Sequence, residues 1–421
     1  MTAARIDSLA HGPHGIARID GKVHFVRHAA PGDEVEIEVE EDHRTYAYAR
    51  ATRVVTPGAV RREPPCEYLP RCGGCPWQHV AYDAQAEAKE AAVRDLLARL
   101  GGIDPKVVRP IVRAPAELGY RRRLSLRVDG REVGFLEGAS HDLVPVERCL
   151  LGQERLHGAI PLARAFVAAL ATRVNRVEVV ATGDDDRIAL VAQADGEQVA
   201  SDAEVGEELL RREPRLAALV LRGRGYRRLW GDDRVRVPLV DGDEMWLRAG
   251  DFSQVSDHGN AELIRIVLEH AAPTGEQRVA DLYAGAGNLS LPLARRAAMV
   301  TAVERTPTAV EAARENARRL GIRNLELIAG PTESVLRGFV KRGVRFDTVV
   351  LDPPRSGAAE ATTSLLSLAP GRIVYVSCNA STLARDLKTL SRRYRVERVQ
   401  PIDLFPQTYH VEAVALLVKQ K

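Results

Sequence analysis

Beyond about residue 250 the chain alternates strand-like apolar runs with helical ones: Arg278–Leu282, Asn288–Arg296, Met299–Val303, Thr308–Leu320, Leu325–Ile328, Phe346–Leu351, Arg372–Val376 and Thr382–Leu390. That rhythm predicts a doubly wound α/β fold around a parallel sheet. It breaks at the end, where Tyr394–Pro401 and Val411–Val418 follow each other as two strands across a short loop, predicting an antiparallel hairpin that finishes the sheet. Folds of this kind collect ligands at the carboxyl ends of their strands, so residues at those positions carry the functional argument.

The earlier part of the chain has other rhythms. Short alternating runs at Gly15–Ile19, Val23–Val26, Glu34–Val39 and Tyr46–Val55, separated by Asp20-Gly21 and Pro31-Gly32 turns, predict a five-stranded barrel of the OB-like or SH3-like kind. Pro57-Gly58 and Pro64-Pro65 mark its end. A helix is expected over Asp83–Leu100, with Val93, Leu96, Leu97 and Leu100 on one face, a Glu90–Arg94 pair, and Gly101-Gly102 as its stop. From about 107 to 248 strands dominate, with a helix near Leu156–Val174. Three domains are therefore expected: 1–57 as a β-barrel, 58–249 as a strand-rich central unit, and 250–421 as the α/β unit.

With 45% apolar residues the chain can bury a substantial core, yet no stretch approaches the ~18–20 apolar residues of a membrane span. The start, Met1-Thr-Ala-Ala-Arg-Ile-Asp7, lacks the apolar run of a signal peptide, which points to the cytoplasm. Net charge is only +3, so any nucleic-acid surface must be local, as in Tyr120–Arg123, Arg222–Arg228 and Arg392-Arg393.

All five cysteines have candidate roles. Cys66, Cys72 and Cys75 form a compressed knuckle with glycines between and a proline after, and Cys149 can supply a fourth thiolate. In a reducing compartment close-spaced cysteines indicate metal binding or catalysis, not disulfides. Spacing alone does not separate a Cys₄ zinc site from an iron–sulfur cluster.

Val279-Ala-Asp281-Leu-Tyr283-Ala-Gly285-Ala-Gly287-Asn288 is a strand, a glycine-rich turn and a helix start. Gly285 and Gly287 let the backbone approach a ligand, and Glu304 ends the next strand where it can accept from ribose hydroxyls. Ser290 stands where a dinucleotide site wants a third glycine, so a nucleoside without a pyrophosphate fits better, and S-adenosylmethionine is such a ligand. Asp352-Pro-Pro-Arg355 ends a later strand at the same edge as a stiff loop.

Cys378 follows the strand Val374–Ser377, just before Ser381, the expected N-cap of the next helix. A thiol near a helix N-terminus is expected to have a lowered pKa. A thiolate beside a methyl donor suits one reaction in particular: addition to C6 of uracil makes C5 nucleophilic, after which a base must take the C5 proton. Glu412, an acidic residue among apolar ones at the start of the last strand, is a candidate base whose pKa burial would raise, and His410 is the alternative.

These residues together resemble the uracil-C5 RNA methyltransferase family, most closely its 23S ribosomal RNA branch. The resemblance runs over nearly the whole chain, through Phe252-Ser-Gln254, Asp281–Asn288, Asp352-Pro-Pro-Arg355, Ser377-Cys378-Asn379 and Pro406-Gln-Thr-x-His-Val-Glu412. It implies a class I (Rossmann-like) methyltransferase domain, with Cys378 as nucleophile and Glu412 as base. It implies cofactor contacts from Gln254, Tyr283, Asn288, Glu304 and Asp352, a TRAM-type barrel over 1–57, and a [4Fe–4S] cluster on Cys66, Cys72, Cys75 and Cys149. Ribosomal RNA is the implied substrate, with no membrane and no obligate protein partner; a cytoplasmic monomer is expected. Ser256, Ala284 and Gly330-Pro331 depart from the pattern. The competing expectations are methylation of a tRNA uridine, methylation of an exocyclic base nitrogen without a nucleophilic cysteine, and an RNA-binding protein with a vestigial sheet.

Overall fold

A computed structural model describes residues 2–183 and 185–420. Five strands, β1 (Thr2–Leu9), β2 (Gly15–Ile19), β3 (Lys22–Arg27), β4 (Glu34–Asp42) and β5 (Tyr46–Thr56), close into a barrel of order β1-β2-β3-β5-β4. Alternation fills it: Ile6, Ala17, Val26, Val35, Ile37 and Ala49 point inward and are buried, and the residues between them face out. The first strand was not evident in the sequence, because Thr2–Leu9 intersperses alanine, serine and charge among only two larger apolar residues.

The central unit is a seven-stranded sheet of order β12-β11-β10-β9-β6-β7-β8, built from β6 (Arg123–Asp129), β7 (Glu132–Leu136), β8 (Leu143–Pro145), β9 (Val174–Ala181), β10 (Ile188–Ala194), β11 (Leu216–Gly223) and β12 (Tyr226–Gly231). The expected helix near 156–174 is shorter, Ala159–Ala169, because Val174 already belongs to β9. A hairpin of β13 (Arg234–Pro238) and β14 (Glu244–Arg248) leads into the helix Asp257–Ala271 and shares one apolar core with it.

The α/β unit holds β15 (Arg278–Leu282), β16 (Met299–Glu304), β17 (Leu325–Ala329), β18 (Thr348–Leu351), β19 (Arg372–Ser377), β20 (Tyr394–Ile402) and β21 (Glu412–Lys419), in the order β17-β16-β15-β18-β19-β21-β20. Five strands run parallel; β21 inserts between β19 and β20, antiparallel to both. The expected closing hairpin is present, with its second strand inside the sheet. Strand order reverses between β15 and β18, which opens a crevice at their carboxyl ends.

The helix Tyr82–Leu96 continues as a π-helical turn, Leu97–Gly101, and stops where Gly102 adopts φ +65°. Its apolar face, Val93, Leu96 and Leu97, packs with Leu383, Ala384 and Leu387 of the helix Ala380–Leu390, so this segment shares a core with the α/β sheet. The basic runs are largely structural. Arg122 is buried and donates to Asp257 Oδ1 at 2.5 Å and to the Arg236 carbonyl at 2.7 Å. Arg227 pairs with Asp233, and Arg222 donates to the Gly250 carbonyl. No helix among the described residues is long and apolar enough to cross a membrane.

Candidate active site

At the end of β15 the backbone turns through Tyr283 (φ +62°), Gly285 (φ +55°) and Gly287 (φ +99°). A positive φ at tyrosine is a strained conformation of the kind that clusters at functional sites. Here it is held by a hydrogen bond from Tyr283 Oη to Glu333 Oε1 at 2.7 Å. A Cβ on Gly285 would meet no atom within 4 Å, so the turn borders open space, whereas one on Gly287 would press Leu291 at 3.0 Å. Glu304, at the tip of β16, accepts from the Gly285 amide at 3.0 Å and the Thr306 amide at 2.7 Å. Those two bonds fix the carboxylate beside the turn. An open glycine cradle and a fixed carboxylate are the donor and acceptor set that a nucleoside requires.

Beneath the turn Asp281 is buried, accepts from Ser290 Oγ at 2.5 Å, and keeps its Oδ1 without a partner among the described residues. Burial pushes its pKa up to about 7, opposed by the Ser290 bond and reinforced by Asp352 and Glu304. Ser290 therefore braces the turn from below. Asn288 exchanges two amide hydrogen bonds with Asn260, at 2.7 and 2.9 Å, tying the glycine-rich turn to the helix Asp257–Ala271. Asn260 was not singled out from the sequence; its partner lies 28 residues away, and only the fold joins them. Ser256 accepts from the Gly259 amide at 3.1 Å as N-cap of that helix, and Gln254 lies half-buried in the loop before it.

The second pole lies one strand over. Ser377 of β19 is level with Ala413 of β21, so the next step of the antiparallel register brings Cys378 level with Glu412. Asp352 follows β18 on the adjoining strand, half-buried. Its loop is pinned: the Asn379 side-chain amide donates to the Arg355 carbonyl at 3.2 Å, and Arg385 donates to the Ser356 carbonyl at 2.9 Å. Arg355 also contacts His410 Nδ1 at 3.3 Å.

Two expectations for the thiol are corrected. The N-cap of the helix Ala380–Leu390 is Asn379, whose side chain accepts from the Ser381 amide at 3.1 Å, so Ser381 lies inside the helix. The Cys378 pKa is raised, not lowered, to about 11. Desolvation is the largest cause, the carboxylates of Glu412 and Asp352 add to it, and Arg355 opposes them. Proximity to a helix N-terminus does not outweigh burial beside two acids. Glu412 is buried, and burial with Asp352 nearby holds its carboxyl well above the usual range. His410 is pushed down to about 4 by burial and by Arg355, so it is neutral near pH 7.

Cys66, Cys72, Cys75 and Cys149 come together at the junction of the units. Burial raises the thiol pKa of Cys72, Cys75 and Cys149, and each of these also feels neighbouring cysteines. None of the four is in a disulfide, and no group of three or more His, Cys, Asp or Glu among the described residues is arranged to hold a metal ion. The knuckle leads to Trp77, which is 1% exposed and joins three parts of the molecule. Its indole donates to the Gly12 carbonyl of the barrel at 3.1 Å. Its amide donates to the Gln407 carbonyl at 3.1 Å, and its carbonyl accepts from Gln85 Nε2 at 3.1 Å.

Comparison with known proteins agrees with this arrangement. The family described as tRNA (Uracil-5-)-methyltransferase matches residues 81–420, and the TRAM domain matches residues 3–52. The 23S rRNA (uracil(1939)-C(5))-methyltransferase RlmD of Pseudomonas aeruginosa is 36% identical over 98% of this chain and 92% of its own length. The protein of that name from Pectobacterium atrosepticum is 33% identical, over 99% and 93% respectively. The crystal structure of Pyrococcus abyssi tRNA (uracil-54, C5)-methyltransferase in complex with S-adenosyl-L-homocysteine superposes with a TM-score of 0.76 at 25% identity, covering 99% of this chain and 100% of that one. The chain belongs to the uracil-C5 RNA methyltransferase family and is an S-adenosylmethionine-dependent enzyme of that class, with a methyltransferase fold behind a TRAM barrel.

Proposed function

We propose that this enzyme methylates C5 of a specific uridine in 23S ribosomal RNA, through a covalent adduct between Cys378 and C6 of the uracil. The observation that carries the proposal is the register that brings Cys378 level with Glu412, one strand from Asp352 and two from the glycine-rich turn. Ribosomal RNA is favoured over a tRNA uridine because the relatives named for 23S rRNA are 33% and 36% identical, against 25% for the tRNA enzyme.

Gln254, Tyr283, Gly285, Asn288, Glu304 and Asp352 would hold the methyl donor, with Glu304 on the ribose and the glycine-rich backbone against the nucleoside. S-adenosylmethionine supplies an electrophilic methyl group there. Cys378 Sγ, as thiolate, would add to C6, and the ring's electron pair at C5 would take the methyl while the electrons of the methyl–sulfonium bond stay on the donor's sulfur, giving S-adenosylhomocysteine. Glu412 then removes the C5 proton, and the electrons of that C–H bond restore the double bond as Sγ leaves C6. The raised carboxyl pKa makes Glu412 a stronger base than an exposed glutamate. Arg355 offsets the two acids around Cys378.

We also assign a [4Fe–4S] cluster to Cys66, Cys72, Cys75 and Cys149. In support, Cys149 packs against the same apolar clusters as Cys72 and Cys75, and the half-buried Arg121 lowers the pKa of Cys72, Cys75 and Cys149. Such a cluster would brace the Trp77 junction. Iron and sulfide content with visible absorption of anaerobically purified protein tests it, and zinc in their place would refute it. The division into 1–57, 58–249 and 250–421, a cytoplasmic location and a monomeric state belong to the same proposal.

Incubation with 5-fluorouridine-substituted 23S RNA and the methyl donor tests the mechanism. Fluorine does not leave as a proton does, so a stable adduct should map to Cys378, and Cys378→Ala should abolish both adduct and turnover. Full turnover by Cys378→Ala would instead support methylation of an exocyclic nitrogen.

A further inference from the structure

Outside the reaction centre, the barrel carries an aromatic surface to which nothing described so far gives a role. β3 and β5 run parallel with Val23 level with Tyr46 and Phe25 level with Tyr48. Their alternation turns His24, Val26, Ala47 and Ala49 inward, where they are buried, and leaves Phe25, Tyr46 and Tyr48 half-buried on the outer face. His14, on the β1–β2 loop, completes the set. The ring of Tyr48 lies 5.4 Å from Phe25, 5.6 Å from Tyr46 and 5.3 Å from His14.

His14 is the member of this set that reaches toward the reaction centre. His14 lines a cleft of about 1020 Å³ that Thr408, Tyr409 and His410 also line, and His410 contacts Arg355. The β1–β2 loop is fastened there by the bond from Trp77 to Gly12. His11 of the same loop lies close enough to Arg355 that the guanidinium, after the larger effect of desolvation, disfavours its protonation.

Four basic residues around these strands are already committed. Lys22, Arg27, Arg50 and Arg53 pair with Asp42, Glu40, Glu38 and Glu36 of β4. Left free, these four would offer the barrel a local phosphate-binding face. Each is instead paired with the acidic strand beside it.

We propose that Phe25, Tyr46, Tyr48 and His14 form a stacking track for unpaired bases of the RNA flanking the target uridine, contributing π-faces in place of phosphate neutralisation. In OB-type barrels the strand 2–3 face and the loops after strands 1 and 4 are the surfaces that meet oligonucleotides, and base–aromatic stacking is indifferent to sequence. The proposal rests on the enzyme acting on RNA. It adds a prediction that a basic RNA-binding face would not make: this surface should contribute affinity with little salt dependence.

The test uses the full-length enzyme and a transcribed 23S RNA fragment that it methylates. Affinity and steady-state rates are measured across a potassium chloride series for Tyr48→Leu, Phe25→Leu and Tyr48→Phe. Leucine keeps apolar volume in the barrel but removes the ring. The expected result for each leucine variant is about tenfold weaker binding and a matching rise in KM. The kcat and the slope of log Kd against log salt should be unchanged, and Tyr48→Phe should restore binding. Unchanged affinity for naked RNA would overturn the proposal, and would be the result if the face docks a protein instead. A salt slope reduced by about 0.7 per variant would also overturn it, because that is the signature of a lost phosphate contact. If wild-type enzyme methylates no uridine C5, the functional proposal falls, while the affinity series still decides the track.

Discussion

Lys89 Nζ meets Asp403 Oδ1 at 2.6 Å with both side chains fully buried, and the same ammonium donates to the Phe405 carbonyl at 3.0 Å. The helix Tyr82–Leu96 thereby holds the segment that runs through His410 to Glu412, helped by Gln85, whose side-chain Oε1 accepts from the Gln407 backbone amide at 2.9 Å. Removing one partner of a buried pair strands the other charge, so Lys89→Met should cost about 3–5 kcal/mol in urea denaturation. Lys89→Met combined with Asp403→Leu should recover most of that loss, because neither charge then remains buried. Equal losses in the single and double variants would refute this account.

Cys378 should be a sluggish nucleophile in the free enzyme. With its pKa pushed up to about 11, alkylation by iodoacetamide should quicken about tenfold per pH unit between pH 7 and pH 10. Arg355→Ala removes the group that opposes the neighbouring acids, so alkylation should slow further at each pH. Peptide mass spectrometry separates Cys378 from the other four cysteines.

Glu412→Gln should split the reaction. In the proposed mechanism, addition of the thiolate and methylation of C5 do not require the carboxylate, whereas loss of the C5 proton does. The variant should therefore accumulate a methylated protein–RNA adduct visible on denaturing gels, with turnover reduced about 10²–10⁴-fold. Undiminished turnover without adduct would transfer the role of base elsewhere.

Asp281 sets a pH dependence of stability. Its carboxyl titrates near 7 in the folded protein against 3.8 ordinarily, so between these values the folded state holds a proton that the unfolded state has released. Stability should fall as pH rises through that window, by at most about 4 kcal/mol at roughly 1.4 kcal/mol per pH unit. Asp281→Asn can still accept from Ser290 and should flatten the slope. Denaturation midpoints from pH 4 to 7 check it.

The Asn260–Asn288 pair should matter for the methyl donor. Asn260→Ala leaves an amide half-satisfied beneath the glycine-rich turn, a loss of about 1–3 kcal/mol if the orphaned group stays buried. Calorimetry should show weaker binding of S-adenosylhomocysteine, with Cys378 alkylation unchanged.

Strand positions in the α/β unit were legible because fully buried strands are nearly continuous apolar runs, as in Val349–Leu351 and Ile373–Val376. Three of its helices, Asp257–Ala271, Thr332–Arg342 and Ala359–Leu368, were not. Ala359–Leu368 is rich in alanine, serine and threonine, which mark no face, and Thr332–Arg342 buries only Thr332, Leu336 and Phe339. Cys378 and Glu412 stood out because strand ends are where such chemistry collects. Their influence on each other was hidden, since the register that pairs them depends on β21 entering between β19 and β20. The basic run at 120–123 misled for the opposite reason: composition alone does not distinguish an exposed arginine from Arg122, which is 2% exposed.

Because β21 lies inside the sheet, the sheet closes only once residues 412–419 are in place. Residues 412–419 supply both the acid at the thiol and the partner for two other strands. A chain lacking residues 412–419 would leave β19 and β20 with open edges and the thiol without its neighbouring acid. Such a product has no intermediate level of competence, and quality control should meet it as a sticky, inert fragment.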